Sequence, residues 1–205
     1  MTRLGFDSRE LKILKSLNTP KKIQDFLDEI PINFEKKGDT CMSPRRVLRE
    51  WKAHCLEGAI FAAAALWAHG EPPLLLDLDT TEPDANHVVA LFRRYGRWGA
   101  ITKTNHAVLR YREPVYRTIH ELVMSYFHEY FLDNGQKTLR SFSRPLDLRK
   151  FKNRGWTTAE EDLWYISETF DRMPHQKILT ANMIRHLRRA DPIEIRAGKI
   201  IEWRK

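Results

Sequence analysis

The chain predicts an α+β fold: a cysteine-bearing central helix packed on a small antiparallel sheet, followed by a mostly helical C-terminal extension. Three observations carry this. From Cys55 to His69 the sequence is apolar nearly all the way round a helix, with Glu57 its only charged member before His69, so other elements must wrap it. Short strand-like runs follow at 74–78, 87–92 and 98–102, and Gly96 lies between the last two, where a hairpin would turn. Elsewhere, apolar residues recur mainly at helical spacing. With 205 residues, 42% of them hydrophobic and 11% aromatic, the chain can bury one substantial core. Residues 1–110 are expected to hold the core with its N-terminal helices, and residues 111–205 the helical extension, packed together as a single compact unit.

Taken in order, Asp7-Ser8 can cap a helix whose apolar positions are Leu11, Ile13, Leu14 and Leu17. Thr19-Pro20 is a sharper start, because proline suits the first helical position and the threonine hydroxyl accepts an orphan amide. That helix carries Ile23, Phe26, Leu27 and Ile30 on one side and stops before Pro31. Ser43-Pro44 repeats the start signal ahead of Val47, Leu48 and Trp51. Gly58 inside the Cys55 helix costs about 1 kcal/mol relative to alanine, which makes sense if another group must approach the backbone there. Gly70 supplies the left-handed turn that ends this helix.

Beyond the hairpin, residues 115–131 read as one helix with Ile119, Leu122, Val123, Tyr126, Phe127 and Tyr130 inward. A basic, irregular linker follows, rich in arginine and lysine from Lys137 to Arg154. Thr157, Thr158, Glu160 and Glu161 then give a capping-box pattern that opens a helix over 163–170. Residues 190–203 read either as two short strands about Ala197-Gly198 or as a docked tail.

Charge and cysteine content narrow the setting. The 35 Lys+Arg exceed 27 Asp+Glu, a formal +8 that permits nucleic acid, a membrane surface or an acidic protein as partner without choosing among them. Two cysteines, no leader pattern at the start and no apolar run long enough to span a bilayer point to a reducing cytoplasm, two free thiols and no membrane association.

The chemistry lies in Cys55 and His87. A cysteine in the first turn of a helix sits at the positive end of the peptide dipoles, which favours thiolate over thiol. A histidine on a following strand can take its proton. The stretch from Ser43-Pro44 through Cys55, Glu57-Gly58-Ala59 and Ala68-His69-Gly70, then Asn86-His87-Val88-Val89-Ala90 and Gly96-Arg97-Trp98, resembles the core of the transglutaminase-like superfamily of papain-type cysteine enzymes. The likeness covers roughly residues 17–105. It implies Cys55 as nucleophile, His87 as base, and acyl transfer at an amide or ester carbonyl through a thioester that passes to water or an amine. The substrate class it implies is a peptide or protein, with no cofactor and no metal.

This chain departs from that pattern where the family places a carboxylate to orient the imidazole: the position falls on Thr102. A two-residue hairpin turn puts Thr102 or Thr104 on the face of His87; a three-residue turn puts Lys103 or Asn105 there. Asn105 is the favoured orienter, since an amide serves that role in papain-like enzymes, with Thr102, Asp77 and Asp79 as alternatives. No glutamine precedes Cys55 closely, so the Cys55 amide with the Trp51 indole is the expected oxyanion site. His54 beside Cys55 has no counterpart in the family pattern. Cys41 reads as structural, and the remaining histidines lack ligand spacing for zinc. The competing account is a catalytically silent scaffold that binds protein or nucleic acid through a basic surface, with Cys55 a small buried hydrophobe and the 137–154 linker, interleaved with Phe142 and Phe151, as the contact.

Overall fold

The computed structural model describes residues 4–201. It is an α+β fold built on one seven-stranded antiparallel sheet in the order β4-β3-β2-β1-β5-β7, with β6 also paired to β1. The strands are β1 (Leu74–Thr80), β2 (His87–Arg94), β3 (Arg97–Ile101), β4 (Arg112–Tyr116), β5 (Leu139–Ser143), β6 (Leu146–Asp147) and β7 (His175–Lys177). Helices α1 (Ser8–Ser16), α2 (Pro20–Glu29), α3 (Pro44–Glu50) and α4 (Cys55–Ala68) precede the sheet. Helices α5 (Ile119–Met124), α6 (Trp164–Arg172), α7 (Ala181–Arg185) and α8 (Pro192–Gly198) are spread among and after the later strands.

The start signals of the first three helices act as the sequence suggests. Asp7 and Glu10 close a reciprocal capping box, and the Thr19 and Ser43 hydroxyls accept the Lys22 and Arg46 amides at 3.2 and 3.3 Å. Alternation in the central strands splits the core in two. Leu75, Val88, Ala90, Phe92 and Ile101 face α4 and the N-terminal helices, while Leu76, Leu78, Val89, Leu91 and Ala100 face α5 and Tyr126. Because both faces are covered, β1 and β2 read as continuous apolar runs. Along α4, Ile60, Phe61 and Leu66 are wholly enclosed, each contributing about 1.5–3 kcal/mol of burial.

Gly58 explains itself here. A Cβ at that position would overlap Lys103 Cβ and lie 3.1 Å from Lys103 Cγ. Lys103 is buried, and its Nζ donates to the carbonyls of Leu27 (2.8 Å) and Ile30 at the negative end of α2.

Several later elements differ from expectation. The single helix over 115–131 is instead β4, then α5, then a 3-10 turn at Phe127–Glu129. Edge pairing with β3 claims the first part, and the Thr118 hydroxyl caps α5 by accepting the Glu121 amide at 3.0 Å. The basic linker is not irregular: β5 and β6 join β1, and Leu148–Arg154 forms a 3-10 helix. Four strands thus come from beyond residue 111, and the sheet is larger than the sequence suggested. The capping pattern before α6 goes unused, because Asp162 accepts from the Cys41 amide and Arg46 while Glu160 pairs with Arg49. Asp162 and Glu160 are therefore neutralised by arginines of α3. Instead of two strands about Ala197-Gly198, Pro192 starts α8, and the tail docks where Ala107 donates to the Ile200 carbonyl at 2.9 Å. Glu202 and Trp203 lie outside the described residues. Among the described residues, no helix is long and apolar enough to cross a membrane.

Candidate active site

The N-terminus of α4 is fixed by a carboxylate that the helix itself supplies. Glu57 is fully buried and accepts from the His54 amide (2.9 Å), the Met42 amide (3.0 Å), the Thr40 hydroxyl (2.7 Å) and the Asn33 side-chain amide (3.2 Å). These bonds tie the loop over 33–42 to the first turn. His54 Nε2 donates to the Thr40 carbonyl at 2.9 Å, so its ring is held in the same network.

Cys55, the first residue of α4, is only partly buried. It opens onto a cleft of about 380 Å³ whose walls include His54, Asn86, His87, Tyr130 and Ile195. His87, at the head of β2, is 6% exposed, lines the same cleft and lowers the Cys55 thiol. The two side chains, far apart in the chain, meet in an open cleft.

The hairpin sets what stands behind the ring. Arg94 pairs with Arg97, so the turn is the two residues Tyr95-Gly96, both left-handed at φ 52° and 72°. This mirror-image turn matches the strand twist and selects the two-residue register. His87 Nε2 accordingly lies 2.5 Å from Thr102 Oγ1. With Nε2 donating to that hydroxyl, Nδ1 is the nitrogen left for the sulfur. Thr102 is itself clamped by the buried Gln24 of α2, whose side chain donates to the Thr102 carbonyl (2.9 Å) and accepts its amide (3.0 Å).

The other candidates stand elsewhere. Asn105 lies between this cleft and a larger groove of about 870 Å³, lining both, and makes no hydrogen bond to the ring. Asp77 accepts from His175 Nε2 at 3.1 Å and from Asn86 at 3.4 Å, and Asp79 takes the Ser141 hydroxyl. Trp51 is 43% exposed, packs edge-on against Phe26 with centroids 5.5 Å apart, and does not line the cleft. A backbone bent to φ 51° at Trp51 turns the chain out of α3, and its indole goes with it.

Electrostatics favour the thiolate. Burial alone would raise the Cys55 thiol, but the neighbouring His54 and His87 imidazoles outweigh it and bring it down to about 5. Burial would likewise lower the His54 imidazole, yet the sulfur and Glu57 push it up to about 9. In the neutral ring, His54 Nδ1 accepts the Leu56 amide at 3.3 Å. By contrast, burial together with Glu57 and Asp162 drives the Cys41 thiol up to about 12, which leaves it inert. Burial also lifts the Asp77 carboxyl to about 6, against the pull of His175.

Three contributors were not identified from the sequence. The sequence marks His54 only by its having no counterpart in the family pattern, whereas its ring lines the Cys55 cleft and lowers the thiol. Gln24 interrupts the apolar face of α2, and Glu57 is a single charge on an apolar helix; both are the polar-in-apolar signal that marks a buried network. Among the described residues, no group of three or more His, Cys, Asp or Glu side chains converges to hold a metal ion. Neither a family model nor a curated protein matches this chain.

Proposed function

We propose that this protein is a cysteine-dependent hydrolase or acyl transferase that acts on a peptide-like amide through a thioester intermediate. The observation that carries the proposal is that Cys55 and His87 line one open cleft, where His87 lowers the thiol and its Nε2 rests on Thr102. The likeness of residues 17–105 to transglutaminase-like cysteine enzymes points the same way, and a reducing cytoplasm would keep the thiol available.

In the proposed reaction, Cys55 sulfur attacks the carbonyl carbon and the carbonyl π pair moves to oxygen. Collapse re-forms the double bond, breaks the carbon–nitrogen bond, and His87 delivers the proton to the leaving amine. Water or a second amine then attacks the thioester, gives its proton to His87, and releases the thiolate. Thr102 holds the ring in the tautomer that presents Nδ1, while Gln24 fixes Thr102. A hydroxyl carries no charge to stabilise an imidazolium, so this third member orients and does little else.

The test is acylation by p-nitrophenyl acetate. The proposal expects a burst of p-nitrophenolate with an acetyl group on Cys55 by mass spectrometry, abolished in Cys55→Ala and strongly slowed in His87→Ala. Reaction no faster than that of a small free thiol would leave the silent scaffold, whose support is Thr102 at the carboxylate position together with the +8 charge. Binding of RNA or DNA that weakens with salt and persists in Cys55→Ala would favour that account.

A further inference from the structure

We infer that the Tyr130 hydroxyl is a catalytic hydrogen-bond donor, the side-chain half of an oxyanion hole whose other half is the Cys55 amide; this rests on the acyl-transfer proposal above. Four buried side-chain atoms have no hydrogen-bond partner among the described residues, on Thr81, Tyr130, Trp156 and Tyr165. Only the one on Tyr130 belongs to a residue lining the cleft of Cys55. Tyr130 is 3% exposed, so water does not serve its hydroxyl in bulk, and an unsatisfied buried hydroxyl costs about 1–3 kcal/mol. An orphan retained on a residue that lines the cleft of a reactive sulfur is a donor held ready for a charge that appears only during reaction.

The surroundings fix both its place and its protonation. Tyr130 accepts the Thr138 amide on its carbonyl at 3.1 Å, and its ring belongs to the buried cluster with Tyr126, Leu139 and Phe142. Burial first, then the charge of Cys55, then Asp84 and Asp77 keep the phenol pKa well above its ordinary value. The group therefore donates a hydrogen bond and does not act as a base. The Cys55 amide, as the first N–H of α4, has no acceptor within the helix and points from its positive end. The indole of Trp51, expected from the sequence to share this task, faces away.

The step balances without net proton transfer to the oxyanion. As the Cys55 sulfur–carbon bond forms, the carbonyl π pair becomes an oxygen lone pair, and the Tyr130 O–H and Cys55 N–H hydrogen-bond that oxygen. When the carbon–oxygen double bond re-forms and the leaving group departs with a proton from His87, both donors are released unchanged.

Tyr130→Phe tests this, since it keeps the ring and removes only the hydroxyl. Two rates are compared with wild type: acylation of Cys55 by p-nitrophenyl acetate, which builds an oxyanion, and alkylation by iodoacetamide, a displacement at a saturated carbon that builds none. Loss of one such donor lowers acylation by about 10²-fold, with alkylation unchanged. A peptide aldehyde, whose hemithioacetal oxygen occupies the same position, should bind the variant more weakly by a comparable factor. Acylation and aldehyde binding equal to wild type would overturn the assignment, and so would acylation and alkylation falling together, which marks a structural role. Wild-type protein that is not acylated above the Cys55→Ala background would instead overturn the acyl-transfer proposal itself.

Discussion

Gly58→Ala sets two known effects against each other. Alanine favours the helix by about 1 kcal/mol over glycine, so an exposed position would gain stability. Here the added methyl meets Lys103 Cβ closer than real carbon pairs approach, with Lys103 Cγ at 3.1 Å. Relief is expensive, because that Cβ hangs directly from the backbone and the far end of the side chain is clamped to the Leu27 and Ile30 carbonyls. Overpacking costs about 1–3 kcal/mol, and a backbone-anchored neighbour this close belongs in the upper part of that range, about 2–3 kcal/mol, more than the helix gains. The net expectation is a loss of about 1–2 kcal/mol, or roughly 2–8 °C in Tm for a chain of this size. Urea melts of the two proteins measure it through the shift in midpoint at constant slope. The strain also passes to Thr102, the neighbour of Lys103, so acylation should slow alongside. Equal or greater stability in Gly58→Ala would refute the argument that Lys103 is the reason for the glycine.

Thr102→Val keeps the shape and removes the hydroxyl that orients His87, and should slow acylation about two- to tenfold, for a bond worth about 0.5–1.5 kcal/mol, while Thr102→Ser keeps most of the rate. Glu57→Ala strips four hydrogen bonds from a sealed site and should cost about 3 kcal/mol, read from urea unfolding. His54→Ala removes one of the two imidazoles that lower the Cys55 thiol, so the midpoint of iodoacetamide alkylation against pH should rise from about 5 toward the ordinary thiol value. The sign follows from the direction of the shift: a lowered thiol is reactive above its folded-state value and falls silent as the pH drops through it.

How much of this could be read from the sequence depends on the range of the forces involved. Helix starts at Asp7, Thr19 and Ser43, the all-apolar α4 and the Tyr95-Gly96 turn are local, set by capping groups and side-chain period within a few residues. Residues 112–116 and 139–147 gave no such signal. Their strand character comes from hydrogen bonds to β3 and β1, partners distant in sequence, and a helical spacing of Ile119, Leu122 and Val123 masks the break before them. The meeting of Cys55 with His87 followed from the order of elements, and the choice among orienters reduced to the hairpin register, which the sequence left open. The structure adopts the two-residue register and sets Thr102, not Asn105, against the ring. Gln24 and Glu57 were signalled as polar groups on apolar helix faces, while His54 and Tyr130 were beyond reach because their roles depend on which buried polar groups end up side by side.

The central claim is that an imidazole from β2 holds the α4 sulfur as a thiolate at neutral pH. Ultraviolet absorbance of the thiolate, titrated in wild type, Cys55→Ala and His87→Ala, reads that directly. A Cys55-dependent midpoint near 5 that rises in His87→Ala is the predicted result. A wild-type midpoint close to the ordinary thiol value, or one indifferent to His87, would contradict it.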